Sequence, residues 1–468
     1  MQKAQFGMIG LGTMGRNLVL NMADHGFSVS GYDRDTNQQN RLLEEGKGKQ
    51  VQAAASMQAF VETLEIPRRV MMLVPAGKIV DAVIDEIKPF LQAGDILIDG
   101  GNSHYTDTDI RIERLKETGI HFTGMGVSGG EDGARLGPSM MPGGNKAGYA
   151  ELKNILEKIA AQTDDGPCVT FVGNGSAGHY TKMVHNGIEY AIMQLISEVY
   201  AILKNVGGYN NDELHTIFTD WNNGPLQSFL VEITAKIFLQ ADDVDASKRL
   251  VDVILDRAAQ KGTGMWTSES ALKLNIPTAA IDEAVSARDL SSFKKERETI
   301  DTFKTAATTN NAIDKKQLLQ YLQDALYFGM AVSYTQGLHL LQVASTNFKY
   351  EIDIAEVVRI WKGGCIIRSV MLNDIRKAYL NNDQLTNLLL DKEFYTLLSN
   401  HRSAVTEVIK IAMENKIGIP VLSSSLNYVD MFSTGRSASN LIQAQRDYFG
   451  AHTYERIDKT GNFHTNWS

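Results

Sequence analysis

The sequence predicts an α/β amino-terminal domain on a parallel, doubly wound sheet, then a large all-helical domain, then a carboxyl-terminal tail. Three observations predict it. Over residues 1–177, short apolar runs alternate with amphipathic helical patterns, as repeated βαβ units require. From 178 to 434 the strand signals fade and apolar residues recur every three or four positions, with Gly and Asn as punctuation. From 435 to 468 the chain turns basic and aromatic, which at a terminus means docking or fraying; so much aromatic surface is expected to pack on something.

The totals narrow the function classes. A chain of 468 residues is long enough for two or three domains. With 43% hydrophobic and 22% charged residues, the composition is that of a soluble globular protein. A net charge of −9 argues against nucleic acid or an anionic membrane as the main partner, so an anionic substrate would need a local basic pocket. Two cysteines, Cys168 and Cys365, give no disulfide framework and point to a reducing compartment. The first strand begins within a few residues of Met1, which leaves no room for a signal peptide, and no apolar run approaches the ~20 residues of a spanning helix. A cytoplasmic enzyme is expected.

The amino-terminal elements follow in order. The strand 6–9 runs into Gly10-Leu11-Gly12-Thr13-Met14-Gly15 and then a helical pattern through Ala23. G-x-G-x-x-G between a strand and a helix lets backbone approach a pyrophosphate, whose charge rests on the helix N-terminus. A second strand, 27–32, ends at Asp33, placed to hold an adenosine ribose. Strand, glycines, helix, strand and acid together make a Rossmann-type dinucleotide site. Further strands are read at 70–74, 95–98, 120–127 and 169–172, with helices at 79–91 and 106–118. Ligands bind at the carboxyl ends of such strands. Those ends carry Pro75-Ala76-Gly77 after Val74, Gly100-Gly101-Asn102-Ser103, and Ser128-Gly129-Gly130. Turn chemistry alone could explain Gly100 and Gly101, but three such loops on one rim favour a site. Gly173-Asn174-Gly175-Ser176-Ala177-Gly178 repeats the fingerprint. No second strand or acid follows it, so it reads as the interdomain connection.

The stretch 178–204 reads as one long buried helix, apolar most of the way round. Lys182, His185, Asn186 and Glu189 interrupt it on a single stripe, with Lys182 and Glu189 two turns apart and nearly eclipsed. An amine, an imidazole, an amide and a carboxylate on one stripe of a buried helix are either a paired core network or the lining of a site, and four convergent groups favour the site. Further on, helices are read at 250–259, 316–343, 352–360 and 405–415. Lys261-Gly262-Thr263-Gly264 is a loop with an exposed amine and hydroxyl, and its residues alone leave a solvated turn equally open.

Taken together, these residues resemble the long form of the 6-phosphogluconate dehydrogenase family, from the first strand to Trp467. The resemblance rests on Gly-Val-Ser-Gly-Gly at 126–130, Gly-Pro-Ser-Met-Met-Pro-Gly-Gly at 137–144 and Lys-Met-Val-His-Asn-Gly-Ile-Glu-Tyr at 182–190. Lys-Gly-Thr-Gly at 261–264, Gly-Gly-Cys-Ile-Ile-Arg at 363–368 and Gln-Arg-Asp-Tyr-Phe-Gly-Ala-His-Thr-Tyr at 445–454 extend it. It implies oxidative decarboxylation of 6-phosphogluconate in the pentose phosphate pathway, by a homodimer whose tails thread into the partner. By the same resemblance Lys182 is the general base and Glu189 the general acid. Asn102, Ser128, Gly129, Gly130, His185 and Asn186 hold the sugar acid. The substrate phosphate falls to Tyr190, Lys261, Thr263, Arg288 and, from the other subunit's tail, Arg446 with His452 nearby. Gly10–Gly15, Asp33, Arg34, Asp35, Val74, Pro75, Ala76 and Asn102 form the cofactor side.

The chain departs from the family pattern at Pro75, usually a lysine beside the nicotinamide, at Ile192, usually an aspartate, and at Met265, usually a lysine. NADP-using relatives end the second strand with neutral residues around an arginine, whereas this chain has Asp33-Arg34-Asp35. Two carboxylates flanking Arg34 disfavour a 2′-phosphate, so NAD or dual use is expected over strict NADP use. No metal is expected, since no His/Cys/carboxylate cluster stands at ligand spacing. One rival is a β-hydroxyacid dehydrogenase for a non-phosphorylated substrate, which would not need Lys261, Arg288 and Arg446. Another is a catalytically silent NAD(P)-binding regulator, which would not need Lys182 and Glu189.

Overall fold

The computed structural model describes residues 3–303 and 314–467. Its amino-terminal part is an eight-stranded sheet. In chain order the first seven strands are β1 (Phe6–Ile9), β2 (Val29–Tyr32), β3 (Val51–Ala53), β4 (Arg69–Met72), β5 (Ile96–Asp99), β6 (His121–Ser128) and β7 (Ser139–Gly144). They lie in the order β7-β6-β5-β4-β1-β2-β3, with a short strand at Gly173–Asn174 on the outer side of β7. β1 to β6 are parallel. Every residue of β1 and β5 is buried, as in a sheet covered on both faces. Chain order reverses between β1 and β4, and the crevice at such a switch point is where ligands bind.

Two sequence expectations are corrected here. The sheet is not wholly parallel, because β7 runs antiparallel to β6 in the register Met125↔Pro142 and Ser128↔Ser139. The strand expected at 169–172 is reduced to a bridge between Val169 and Met140, and the pairing falls instead on Gly173–Asn174. β3, three residues long, went unpredicted, as did β7, whose proline and glycines are unfavourable in a strand interior.

The remainder is helical. The helix Ala177–Asn205 runs through the middle of one large apolar core, flanked by Thr263–Lys273, Ala279–Ser291 and Lys315–Phe348. Its entry is unusually close. A Cβ on Gly178 would lie 2.0 Å from the Gly124 carbonyl oxygen and 2.4 Å from that of Met141. The second glycine run thus seats the long helix on β6 and β7 at backbone-to-backbone distance. The helix expected over 250–259 is confined to Leu250–Val253, with Val253, Ile254 and Leu255 exposed.

The tail contains the helix Ser439–Gly450 and a two-stranded pair, Tyr454–Glu455 with Asn462–Phe463. Its apolar side chains are largely exposed, among them Leu441, Ile442, Tyr448, Phe449 and Ile457. What holds it together is Asp447, fully buried, whose carboxylate accepts from the Thr453 and Thr465 amides, His464 Nδ1 and Trp467 Nε1.

Candidate active site

The glycine turn and the end of β2 form the first half of the site. Gly10 has φ +90°, and a Cβ there would meet the Leu73 carbonyl oxygen at 2.3 Å; one on Gly15 would meet that of Gly10 at 2.0 Å. Only glycines permit the turn. Gly12 caps the helix Thr13–Asp24 with no side chain on the free amides, which leaves them for a phosphate. Asp33 Oδ2 accepts from the Leu11 amide at 2.7 Å, tying β2 to the turn. The resulting groove, about 360 Å³, is lined by Gly10, Gly12, Asp33, Arg34, Asp35, Val74 and Pro75. These residues fit a dinucleotide. The Leu11 side chain is buried, Gly15 serves the turn, and Thr13 and Ala76 stand outside the lining. Tyr32, Gln38 and Glu86 join it, with no local sequence signal to mark them.

The second half is the polar stripe. Lys182 and Asn186 are buried, Glu189 is partly exposed, and all three line a cleft of about 460 Å³. Asn102, Ser128, Gly129, Gly130, Tyr190, Lys261, Thr263 and Arg288 line it too. Met14, two residues past Gly12, also opens onto this cleft, so the glycine turn borders both spaces. His185 sits behind the lining, fully buried. Its Nε2 is 3.1 Å from Ser128 Oγ, and its Nδ1 is 3.0 Å from Asn186 Oδ1 and 3.4 Å from Lys182 Nζ. These partners assign the proton to Nδ1, donated to Asn186, with Nε2 accepting from the serine hydroxyl.

Burial sets the charges. It pushes the Lys182 amine below its ordinary range, against the pull of the Glu189 carboxylate. Burial, and then the Lys182 charge, hold His185 well below the usual imidazole value. Burial also raises the Glu189 carboxyl, opposed by Lys182 and Arg288. An amine inclined to be neutral and a carboxyl inclined to be protonated therefore face one cleft, an arrangement suited to proton transfer in both directions.

Opposite the stripe, Arg288 stacks on Tyr190 with its guanidinium carbon 3.5 Å from the ring centroid. Gly262, at φ +90°, starts the helix Thr263–Lys273, so Thr263 belongs to a helix start and not to a loop. Gly264 lets that helix approach, since a Cβ there would lie 2.4 Å from the Tyr190 ring. Arg446 and His452 are exposed in the tail and do not line this cleft. Gln260 and Ile366 line it without having been singled out, though each lies beside or within a motif already marked, at 261–264 and 363–368. Ile192 is buried and Met265 exposed, and neither lines the cleft. Among the described residues no group of three or more His, Cys, Asp or Glu could hold a metal, and no helix is long and apolar enough to cross a membrane.

A glycine-turn dinucleotide groove opening beside a buried amine and a partly exposed carboxyl defines a nicotinamide-dependent dehydrogenase. The family model described as the NAD binding domain of 6-phosphogluconate dehydrogenase matches residues 5–173, and that of the 6-phosphogluconate dehydrogenase C-terminal domain matches 178–467. The chain belongs to the 6-phosphogluconate dehydrogenase family. It is 48% identical over 468 residues to the NADP(+)-dependent, decarboxylating 6-phosphogluconate dehydrogenase of Bacillus subtilis, with all of both chains covered. It is 49% identical to the decarboxylating enzyme of Synechococcus elongatus, covering 99% of each. The Plasmodium falciparum 6-phosphogluconate dehydrogenase, solved apo and in complexes with NADP+ and 6-phosphogluconate, superposes with a TM-score of 0.95. It shares 43% identity, over 99% of this chain and 100% of that one.

Proposed function

We propose that the protein oxidises and decarboxylates 6-phospho-D-gluconate to D-ribulose 5-phosphate and CO₂, reducing a nicotinamide dinucleotide. The observation that carries this is the pairing of Lys182 and Glu189 on one cleft, with a dinucleotide groove adjoining it. The bound dinucleotide supplies the acceptor for the hydride that leaves C3. Neutral Lys182 takes the proton of the 3-hydroxyl, leaving a β-keto acid. Its carbonyl receives the electrons as the carboxyl departs as CO₂, and Glu189 protonates C1 of the resulting enediol. Asn102, Ser128, Gly129, Gly130 and Asn186 hold the sugar acid, with His185 bracing Ser128 and Asn186 from behind. Tyr190, Lys261, Thr263 and Arg288 hold its phosphate, supplying the basic pocket that an acidic protein needs. A silent regulator has no use for Lys182 and Glu189.

The chain divides at 177/178 and 434/435, and its tail serves a second copy in a homodimer, lending Arg446 and His452 to the neighbour's phosphate site. The exposed apolar side chains of that tail favour this reading. For the cofactor we favour NAD or dual use. Asp33 is aimed at the glycine turn, and Arg34 pairs with Glu86 at 2.6 Å instead of standing free for a 2′-phosphate. The absence of a disulfide framework favours the cytoplasm. The test is turnover of 6-phosphogluconate with each nicotinamide cofactor, with CO₂ release measured beside reduction. Reduction without CO₂, or neither, would overturn the reading.

A further inference from the structure

We infer that Arg111 is a positioning residue for hydride transfer, locking the dinucleotide groove and the catalytic cleft in one geometry. The inference rests on the dehydrogenase reading above. Arg111 lies on the helix Tyr105–Leu115, is 1% exposed, and touches neither space. Its guanidinium nonetheless holds a loop of each. Towards the groove, Nη2 donates to the Gly77 carbonyl at 3.0 Å, and Nε and Nη2 donate to the Asp81 carboxylate at 2.8 and 3.2 Å. Gly77 closes the loop that carries Val74 and Pro75 along the groove, and Asp81 stands in the first turn of the helix after it.

Towards the cleft, Nη1 donates to Asp99 Oδ2 at 3.2 Å. Asp99, also 1% exposed, ends β5 and orders the loop after it, accepting from the Gly101 amide at 3.0 Å and Ser103 Oγ at 2.6 Å. Asn102, between those two anchors, lines the catalytic cleft. The Asp99 carbonyl meets His179 Nε2 at 3.0 Å, one turn before Lys182 on the same helix.

One guanidinium thus spans the ends of β4 and β5, and β5 touches the helix that carries the base. A lysine's donors all radiate from one nitrogen and cannot reproduce the fork that reaches Gly77, Asp81 and Asp99 together. Hydride transfer is sensitive to small errors in donor–acceptor distance, and a 1 Å misplacement can cost about a hundredfold.

The experiment compares wild type, Arg111→Lys and Asp81→Asn with 6-phosphogluconate carrying protium or deuterium at C3. Asp81→Asn alters only the partly exposed end of the network, where folding is not at stake. For Arg111→Lys the expected result is kcat lower by roughly 10- to 100-fold, a larger primary isotope effect, and dinucleotide affinity little changed. Asp81→Asn should move the same way by less. A fold defect only reduces the active fraction and leaves the isotope effect alone. An isotope effect equal to wild type in Asp81→Asn and in any folded Arg111→Lys overturns the inference, whether or not kcat falls. If wild type itself does not oxidise 6-phosphogluconate, the reading beneath it fails instead.

Discussion

Lys182 Nζ lies 3.4 Å from His185 Nδ1, one helical turn away, both side chains buried against the same cleft wall. Neither can hold a full charge cheaply there, and the Lys182 charge further lowers the affinity of His185 for a proton. Lys182→Met should therefore fold and bind substrate but lose turnover by roughly 10²–10⁴-fold, the usual share of a general base. Retention of more than about a tenth of wild-type turnover would remove the assignment. The neutral amine grows as pH rises through a depressed pKa, so wild-type kcat/KM should climb with a midpoint below the ordinary lysine value. That limb should be missing in Lys182→Met.

Glu198 provides a pH test of stability away from the site. It is 2% exposed and accepts from the Val421 and Leu422 amides, at the start of the helix Pro420–Phe432, at 2.9 and 3.0 Å. Burial pushes its carboxyl up to about 7, against those two hydrogen bonds. The folded state therefore binds this proton more tightly than the unfolded chain does. The stabilisation is complete below the unfolded value and fades as pH rises towards 7, a swing on the order of 3 kcal/mol at most. Melting temperature should fall from pH 5 to 8 more steeply in wild type than in Glu198→Gln. Parallel curves would contradict this.

The cofactor prediction turns on Asp33. Its Oδ1 accepts from the Asp35 amide and its Oδ2 from Leu11, while Asp35 caps the helix Thr36–Glu45. Wild type should prefer NADP over NAD by less than about a hundredfold in kcat/KM, and Asp33→Asn should shift the ratio towards NADP by roughly tenfold, about 1.4 kcal/mol. A ratio that stays put on substitution would show that the carboxylate does not discriminate.

Truncation before Gly435 should raise KM for 6-phosphogluconate steeply and leave dinucleotide binding largely intact. The groove is complete without the tail, while Arg446 and His452 lie in it. An unchanged KM would sink the shared site.

Much of this was legible in the sequence because the signals were local. The fingerprint at 10–15, the acid at 33 and the stripe at 182–189 each need only a period and a neighbour. What escaped depended on distant contacts. β7 carries Pro142 and two glycines, and is a strand because β6 pairs with it. The apolar residues at 253–255 suggested helix, yet they are exposed and the helix stops at Val253. His185 could be placed on the stripe from spacing, but its seat behind Ser128 needed the fold. Arg111 showed no sign, since nothing local to it announces that Gly77 and Asp99 meet at one guanidinium.

The far edge of the sheet is stitched to chain synthesised long afterwards. Ser139 donates its amide to the Gly364 carbonyl and its hydroxyl to that of Ile360, and the Asn174 amide reaches the Tyr350 carbonyl. On a ribosome, these three hydrogen bonds must therefore wait until the chain has emerged as far as residues 350–364. A nascent 1–177 segment should form β1 to β5 early while the amides of Ser139 and Asn174 still exchange freely with solvent. The dinucleotide groove would then mature before the cleft wall that carries Lys182 and Glu189, and a stalled chain could hold cofactor with nothing to reduce it.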